Sequence, residues 1–303
     1  MRLMALRSRM ERPRPASPAP DPTPPAEPDF VPIAVEPDAV ESAGGWTRRR
    51  LRMAEALWGE GFLAPGGPDA VLRLAASLGL TAASSLLLLG VGSGGPTLRL
   101  AGDLGVWVRG YESDPYLAAM AARRIQRAGV ALAKRATVEH WTPAHPGFPR
   151  RAFHHALTVE ALRTDRPEDI LAALAQAVRP GGQIALLETV APASLDPADR
   201  AVAAWLRLDP ASASLPDPAR VVRVLERLGF TIRLAEDISA RHMRQAVGGW
   251  RRLLRELDAE RPDAPHAAVL VAEAELWLRR IRLMRAGRIR MMRWIAIGRE
   301  AAA

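Results

Sequence analysis

Apolar positions along the chain follow two periods, one typical of buried strands and one typical of amphipathic helices. The run from Ser85 to Leu89 is short, continuously apolar and followed by glycine, which predicts a strand buried on both faces of a parallel sheet. Two helices are predicted ahead of it, over 46–58 and 68–78. The same patterns predict strands over 106–112, 136–139, 153–159, 183–188, 230–235 and 289–297, and helices over 97–103, 115–128, 167–178, 196–207, 219–228, 239–259 and 265–286. This alternation predicts an α/β fold with a doubly wound parallel sheet.

The amino-terminal part of the chain has a different composition from the rest. Residues 1–45 contain ten of the 26 prolines, together with Ala, Asp and Glu. Proline lacks the N–H that hydrogen-bonded ladders need, and the segment has too little apolar surface to offset the entropy of ordering it. We therefore expect a disordered proline-rich leader over 1–45 and one folded domain over 46–303.

The first predicted strand leads into a glycine-rich loop that opens a helix. Gly90, Gly92 and Gly94 stand at alternate positions, and Glu112 ends the next predicted strand, 18 residues beyond Gly94. Glycines let the backbone approach a ligand closely, and an acid after the second strand can accept hydrogen bonds from both ribose hydroxyls of a nucleoside. The pattern therefore favours nucleoside binding over the alternative of a glycine turn with a solvated glutamate.

Four segments resemble the motifs of class I S-adenosylmethionine-dependent methyltransferases. The sequence LLLLGVGSGGP at Leu86–Pro96 is similar to the first motif, and GYESDP at 110–115 is similar to the ribose-binding segment. FHHALTVEAL at 153–162 resembles the fourth-strand segment, and VRPGG at 178–182 resembles the turn into the fifth strand. The resemblance implies a Rossmann-like methyltransferase fold with a mostly parallel seven-stranded sheet and an N-terminal helical cap. It also implies S-adenosyl-L-methionine as the cofactor, held by Gly90, Gly92, Ser93, Gly94, Glu112 and Ser113.

A further segment narrows the implied substrate class. LWGEGFLAPGG at 57–67 resembles the segment that small-molecule N-methyltransferases of the phosphoethanolamine and sarcosine type fold over the cofactor. The stretch 229–239 and Trp250 resemble the same group more loosely. The resemblance implies Leu63 and Ala64 as further cofactor contacts and a small-molecule acceptor, methylated on nitrogen or oxygen.

Two positions depart from the family pattern. Leu88 stands where relatives usually carry an acid that helps to hold the methionine end of the cofactor, and the stretch 160–164 lacks the histidine that relatives often place after the fourth strand. Glu160, at the carboxyl end of that strand, is the candidate catalytic residue. A non-catalytic methyltransferase-like pseudoenzyme that serves as a binding or assembly subunit is therefore the alternative. If the side chains of Leu88 and its neighbours fill the space over Gly92, a catalytic role is ruled out in favour of this alternative.

Charge adds a third hypothesis at the carboxyl end. The chain has 42 basic and 33 acidic residues, a formal charge of +9, and Lys134 is its one lysine. Eight of the arginines fall between 279 and 299. On the last helix we expect them to face solvent, as a charged surface or as a contact for a protein or anionic partner. RNA methylation or RNA binding is therefore the third hypothesis.

Composition also excludes several classes of site. The chain has no cysteine and six scattered histidines, so we expect neither disulfides nor a metal site. No apolar run reaches 18 residues, which excludes a transmembrane segment, and the start of the chain lacks the apolar core of a secretory signal. We therefore expect a cytoplasmic protein.

Overall fold

A computed structural model describes residues 45–257 and 263–300 of the chain. The predicted leader lies outside these residues, except for Gly45. The seven strands are β1 (Ser85–Leu89), β2 (Trp107–Glu112), β3 (Ala136–His140), β4 (Phe153–Val159), β5 (Val178–Val190), β6 (Phe230–Asp237) and β7 (Arg290–Gly298). The helices are α1 (Arg48–Trp58), α2 (Gly67–Ala76), α3 (Gly95–Leu104), α4 (Pro115–Arg127), α5 (Val130–Arg135), α6 (Pro167–Ala177), α7 (Arg200–Leu206), α8 (Pro218–Arg227), α9 (Ser239–Leu257) and α10 (Ala264–Arg285).

The strands form one sheet in the order β3-β2-β1-β4-β5-β7-β6. Strands β1 to β5 pair in parallel, whereas β7 lies between β5 and β6 and pairs antiparallel with both. The chain runs outward from β1 to β3 and then returns to β4 on the other side of β1. The strand order therefore reverses between β1 and β4, which places a ligand crevice at their carboxyl ends.

Strand β1 is buried on both faces, as its continuous apolar run predicts. Leu86 and Leu88 contact one core, which includes residues of α1 and α2, while Leu87 and Leu89 contact the other, which includes residues of α6 and α8. Successive side chains of a strand point to opposite faces, so a strand between two helical layers needs an apolar residue at every position. All four leucines are fully buried.

A helix cap fixes the turn that follows β2. The side chain of Asp114 accepts hydrogen bonds from the backbone N–H groups of Tyr116 and Leu117 and so caps α4. Pro115 occupies the first turn of the helix, where its missing N–H costs nothing. The cap holds the segment after Glu112 in one conformation.

Several element boundaries differ from the sequence prediction, and the two largest differences have a clear cause. Strand β5 begins at Val178 rather than at 183, because Val178 pairs with Phe153 across an irregularity in the β4–β5 register. Helix α7 begins at Arg200 rather than at 196, because the side chain of Asp199 caps it. The short helix α5 was not predicted. The predicted helix over 239–259 is described as far as Leu257.

Among the described residues, no helix combines the length and apolarity needed to cross a membrane.

Candidate active site

The glycine loop connects β1 to α3 and adopts a backbone conformation that favours glycine. Gly90, Gly92 and Gly94 have φ angles of +74°, +56° and +100°. A Cβ atom on Gly90 would lie 2.0 Å from the carbonyl oxygen of Val159 on β4. Residues other than glycine are therefore excluded at the base of the loop, both by the backbone angle and by this close approach.

The carboxylate of Glu112 reaches from the end of β2 to the glycine loop. Its Oε2 accepts a hydrogen bond of 2.8 Å from the N–H of Gly92, and its Oε1 accepts one of 3.1 Å from the N–H of Asp114. The side chain is buried, and this burial raises the pKa of the carboxyl to about 7. Ser113, the next residue, is exposed, and its carbonyl oxygen lies 3.1 Å from His140 Nε2.

The segment after α1 lies directly on the glycine loop. A Cβ atom on Gly92 would lie 2.9 Å from Leu63 Cδ1, so the side chain of Leu63 occupies the space over Gly92. The N–H of Gly95 donates to the carbonyl oxygen of Gly61 over 3.0 Å. Ala64 lies in the turn that leads into α2, where its carbonyl oxygen accepts from the N–H of Gly67.

A group of polar contacts, here called the clasp, holds this segment in place. It consists of Glu55, Glu60, Arg124, Ser93 and the N–H of Gly61. Glu55 Oε1 accepts from Ser93 Oγ at 2.8 Å, from Gly61 N at 3.1 Å and from the guanidinium of Arg124. Arg124 also donates to the carbonyl oxygen of Ser93 and pairs with Glu60 at 2.7 Å. The clasp therefore joins α1, the glycine loop and α4.

At the carboxyl ends of β4 and β5 a second group of charged residues is buried. Glu160 follows β4 with a φ of +51°, unusual for a residue with a side chain. Its Oε1 accepts from Thr189 Oγ1 and from Arg280, and its Oε2 pairs with Arg163 at 3.1 Å. Burial alone would raise the pKa of this carboxyl, but Arg280 and Arg163 outweigh that effect and lower the pKa to about 2.

Comparison with known proteins identifies the fold. No protein-family model and no curated protein matches the chain. Among solved structures, phosphoethanolamine N-methyltransferase 2 of Haemonchus contortus in complex with S-adenosyl-L-methionine has a TM-score of 0.71 at 16% identity, over 83% of this chain and 57% of that one. A Galdieria sulphuraria protein described as a sarcosine dimethylglycine methyltransferase has a TM-score of 0.67 at 15% identity, over 83% of this chain and 98% of that one.

The chain has the fold of class I S-adenosylmethionine-dependent methyltransferases. The predicted fold, with its seven-stranded sheet and its helices ahead of β1, is thereby confirmed. The chain spans little more than half of the Haemonchus enzyme, 57% of its length. The cyclase SpnF shares the fold as well, with a TM-score of 0.56 at 20% identity, over 77% of this chain and 82% of that one. A methyltransferase fold is thus compatible with more than one reaction.

Within this methyltransferase fold, the structure shows which predicted site residues meet. Gly92 and Glu112 are in contact, and Leu63 lies against the same glycine. Leu88 is fully buried in the apolar core, so the strand provides no carboxylate there. Glu160 belongs to the separate group of charges at the ends of β4 and β5.

Two buried residues of that group were missed from the sequence. Glu188, at the end of β5, accepts hydrogen bonds from Thr158 Oγ1 and from the N–H groups of Ala161 and Leu162, and burial raises the pKa of its carboxyl to about 7. His242 of α9 is also buried, and burial followed by the charge of Arg280 lowers the pKa of its imidazole to about 3. Neither residue stands at a recognisable spacing from the others.

The expectation that the arginines of the last helix face solvent is wrong for Arg280. Its side chain is 7% exposed and pairs with Glu160, which lies 120 residues earlier in the sequence. Arg280 is one helical turn after Leu276 and one turn before Met284, both buried, and this spacing was the available signal. Several of the other arginines pair with acids of the same chain: Arg279 with Glu275, Arg288 with Asp199, Arg290 with Asp237, and Arg293 with Glu236.

Proposed function

We propose that the chain is an S-adenosyl-L-methionine-dependent methyltransferase that acts on a nitrogen or oxygen atom of a small molecule. The proposal rests on the junction between Gly92 and Glu112, which joins the glycine loop to the acid after β2 through a 2.8 Å hydrogen bond. Ligands of open α/β sheets bind at the carboxyl ends of the strands beside the point where strand order reverses, and this junction lies there. The structural neighbours described as methyltransferases support the same activity.

The residues of the junction fit the nucleoside part of the cofactor. Each carboxylate oxygen of Glu112 accepts one N–H and keeps capacity for a ribose hydroxyl. Leu63 occupies the space over Gly92 and is partly buried, so cofactor binding requires its side chain to move. At the methionine end Leu88 supplies no acid. One lost charge-assisted hydrogen bond is worth about 1.5–3 kcal/mol, so we expect affinity about ten- to a hundred-fold below that of a site with this acid.

When bound, the cofactor supplies an electrophilic methyl group on a positively charged sulfur. The protein then has to align the acceptor with that methyl group and exclude water, which is where most of the rate gain in such a transfer arises. Glu160 is held ionised by Arg280 and Arg163, so at neutral pH it is a poor general base, because an effective base has a pKa near the working pH. We propose a positioning role for Glu160 at the acceptor end.

The second candidate is a non-catalytic subunit with the methyltransferase fold, which would bind partners through the proline-rich leader or the arginine-rich carboxyl end. The side chain of Leu63 over Gly92 favours it.

Calorimetric titration with S-adenosylhomocysteine separates the two candidates. We expect wild-type protein to bind it, Glu112→Ala to abolish binding, and Leu63→Ala to bind at least as tightly as wild type. The control is Glu139→Ala, because Glu139 also lies near the end of a neighbouring strand but is half exposed and pairs with Arg109. Circular dichroism of each variant checks that it is folded.

Two other outcomes of the titration would contradict these expectations. If neither wild type nor Leu63→Ala binds at millimolar ligand, the methyltransferase proposal fails and the non-catalytic candidate stands. If Glu112→Ala binds as tightly as Glu139→Ala, the proposed nucleoside contact is wrong. A coupled assay for release of S-adenosylhomocysteine, with a panel of small amines and alcohols, then tests the transfer itself.

A further inference from the structure

Helix α9 carries all its arginines on one side. Its buried residues recur every three or four positions and form the side that packs on the core: Ser239, His242, Ala246, Gly249 and Leu253. At 3.6 residues per turn, the arginines fall within an arc of about 100° on the opposite side. They are here called the α9 ridge, and they are Arg241, Arg244, Arg251, Arg252 and Arg255. The ridge extends over about 21 Å of the helix axis.

The charges of the ridge are largely uncompensated. Four of its five arginines are exposed, and the fifth, Arg241, lies 3.6 Å from an oxygen of Glu236. The exposed four pair with no acid among the residues that the structure describes, and two of them donate to backbone carbonyl oxygens, which carry no net charge. Glu256 is the one acid of α9, and it lies outside the arc. The ridge thus presents four positive charges to solvent.

The shape of the ridge suits a linear polyanion. Duplex nucleic acid carries about one negative charge per 1.7 Å of its axis, so a row of charges about 21 Å long meets phosphates along its whole length. The planar guanidinium fork donates two parallel hydrogen bonds to phosphate oxygens. Gly248 lies inside the arc, and a Cβ atom there would meet nothing within 4 Å. A phosphate backbone can therefore approach the middle of the helix closely.

Two other anionic partners fit the ridge less well. Proteins bind single strands by stacking the bases on aromatic side chains, and no exposed residue of α9 is aromatic. Helices that bind bilayers insert apolar side chains beside the basic ones. The apolar side of α9 is used up in the core, where Ala246 and Leu253 are buried, and the exposed Leu254 lies outside the arc. A double-stranded backbone needs neither kind of side chain.

We propose that the α9 ridge binds the phosphate backbone of double-stranded nucleic acid, either DNA or RNA. Contacts to phosphate fix position and carry no sequence information, so the binding is independent of base sequence. The energy comes from release of the counterions that the arginines replace, which makes the affinity strongly dependent on salt.

Fluorescence anisotropy of labelled 20-base-pair duplexes, one of DNA and one of RNA, tests the proposal with the full chain. Each phosphate contact adds about 0.9 to the slope of log affinity against log salt, so four contacts predict a slope of about −3.6. Binding should accordingly weaken by roughly a hundredfold between 50 and 200 mM sodium chloride. The triple variant Arg244→Gln/Arg251→Gln/Arg255→Gln should flatten the slope to about −0.9 and weaken binding at least tenfold at 50 mM salt.

A matched triple variant separates the ridge from the overall positive charge of the chain. Arg123→Gln/Arg127→Gln/Arg150→Gln removes the same charge from exposed arginines outside α9, and it should keep the slope and affinity of wild type. Circular dichroism checks that both triple variants are folded. Tighter binding of one duplex tells whether DNA or RNA is the preferred source of the backbone.

Three outcomes would overturn the proposal. One is that wild type binds neither duplex at 50 mM salt, and another is that the matched variant loses as much affinity as the ridge variant. The third is binding to phosphatidylserine vesicles through the ridge arginines without binding to either duplex, which would assign the ridge to a bilayer. No cofactor is present in these titrations, so their outcome is independent of the methyltransferase proposal.

Discussion

The two ends of the candidate site consist of different chemical groups. At the carboxyl ends of β1 and β2, the glycine loop contributes backbone amides and Glu112 contributes one carboxylate. At the carboxyl ends of β4 and β5, the site consists of buried charged side chains, with Glu160 between Arg163 and Arg280. The first end depends on backbone shape and the second on charge balance. They should therefore respond to different perturbations.

The largest expected effect is at the charged end. Glu160→Ala removes the carboxylate that neutralises Arg280, a side chain that is 7% exposed. Breaking a buried ion pair on one side costs about 3–5 kcal/mol, because the remaining charge stays buried without a partner. Urea unfolding followed by circular dichroism measures the loss. We expect Glu139→Ala, which breaks an exposed pair with Arg109, to cost less than about 1 kcal/mol.

The double variant Glu160→Ala/Arg280→Ala completes a thermodynamic cycle. The double variant removes both charges and leaves neither one buried without a partner. We therefore expect its loss of unfolding free energy to be smaller than the sum of the losses of the two single variants. Additive losses, or a cost below about 1 kcal/mol for Glu160→Ala, would show that the charged end does not depend on this pair.

The next effect is at the backbone end. Gly90→Ala and Gly229→Ala both place a side chain at positive φ, +74° and +87°. Each should therefore lose about 1–2 kcal/mol of stability to backbone strain. A Cβ atom on Gly90 would also lie 2.0 Å from Val159 O, whereas one on Gly229 would meet no atom within 4 Å. We expect Gly90→Ala to lose a further 1–3 kcal/mol, about the cost of overpacking. Equal melting temperatures for the two variants would mean that the loop adapts.

The dependence of stability on pH compares the two ends directly. Each end has one buried carboxyl whose pKa is raised by burial from the ordinary 4.5 to about 7: Glu112 at one end and Glu188 at the other. The folded protein therefore holds more protons than the unfolded chain between these values, so these two groups lower stability as pH rises from about 4.5 to 7. The effect is up to about 3 kcal/mol for each group. Glu160 acts oppositely: its contribution is present above pH 4.5 and is lost as pH falls toward 2.

Glu112→Gln and Glu188→Gln test this pH dependence one end at a time. Each should make the slope of unfolding free energy between pH 5 and 7 less negative, by up to about 1.4 kcal/mol per pH unit. Urea unfolding at pH 5, 6, 7 and 8 provides the slopes. Slopes equal to that of wild type in both variants would contradict the raised pKa values.

The smallest effect concerns the clasp over the glycine loop. Arg124→Ala removes the pairs with Glu55 and Glu60 and should cost about 1–2 kcal/mol, because the guanidinium is largely buried. Hydrogen exchange measured by mass spectrometry should be faster at the N–H groups of Gly61 and Gly95, which the clasp covers. Arg123→Ala is the control next to it in sequence. Equal protection in the two variants would show that apolar contacts alone hold the segment.

The sequence predicted the backbone end better than the charged end, for a physical reason. A glycine loop and the acid that follows the next strand lie within one β-α-β unit, so Gly92 and Glu112 meet at a fixed spacing. Arg280 and Glu160 meet only because α10 packs over the sheet, and their separation of 120 residues is not a motif. The buried leucines of β1 were likewise predicted, since every position of a doubly covered strand is apolar. Helix α5 was missed because six residues are too few to show a helical period.

The position of β7 between β5 and β6 has a consequence for synthesis of the chain. Strands β5 and β6 have no partner in common until residues 290–298 have left the ribosome, and until then each exposes an open edge. Such edges are templates for wrong pairing with other chains. Pairing across more than a hundred residues, as between β5 and β7, is also slow, because the loop must close first. The strand that is translated after the other six thus joins β6 to the sheet, and chains truncated before residue 290 should aggregate more readily than chains that include it.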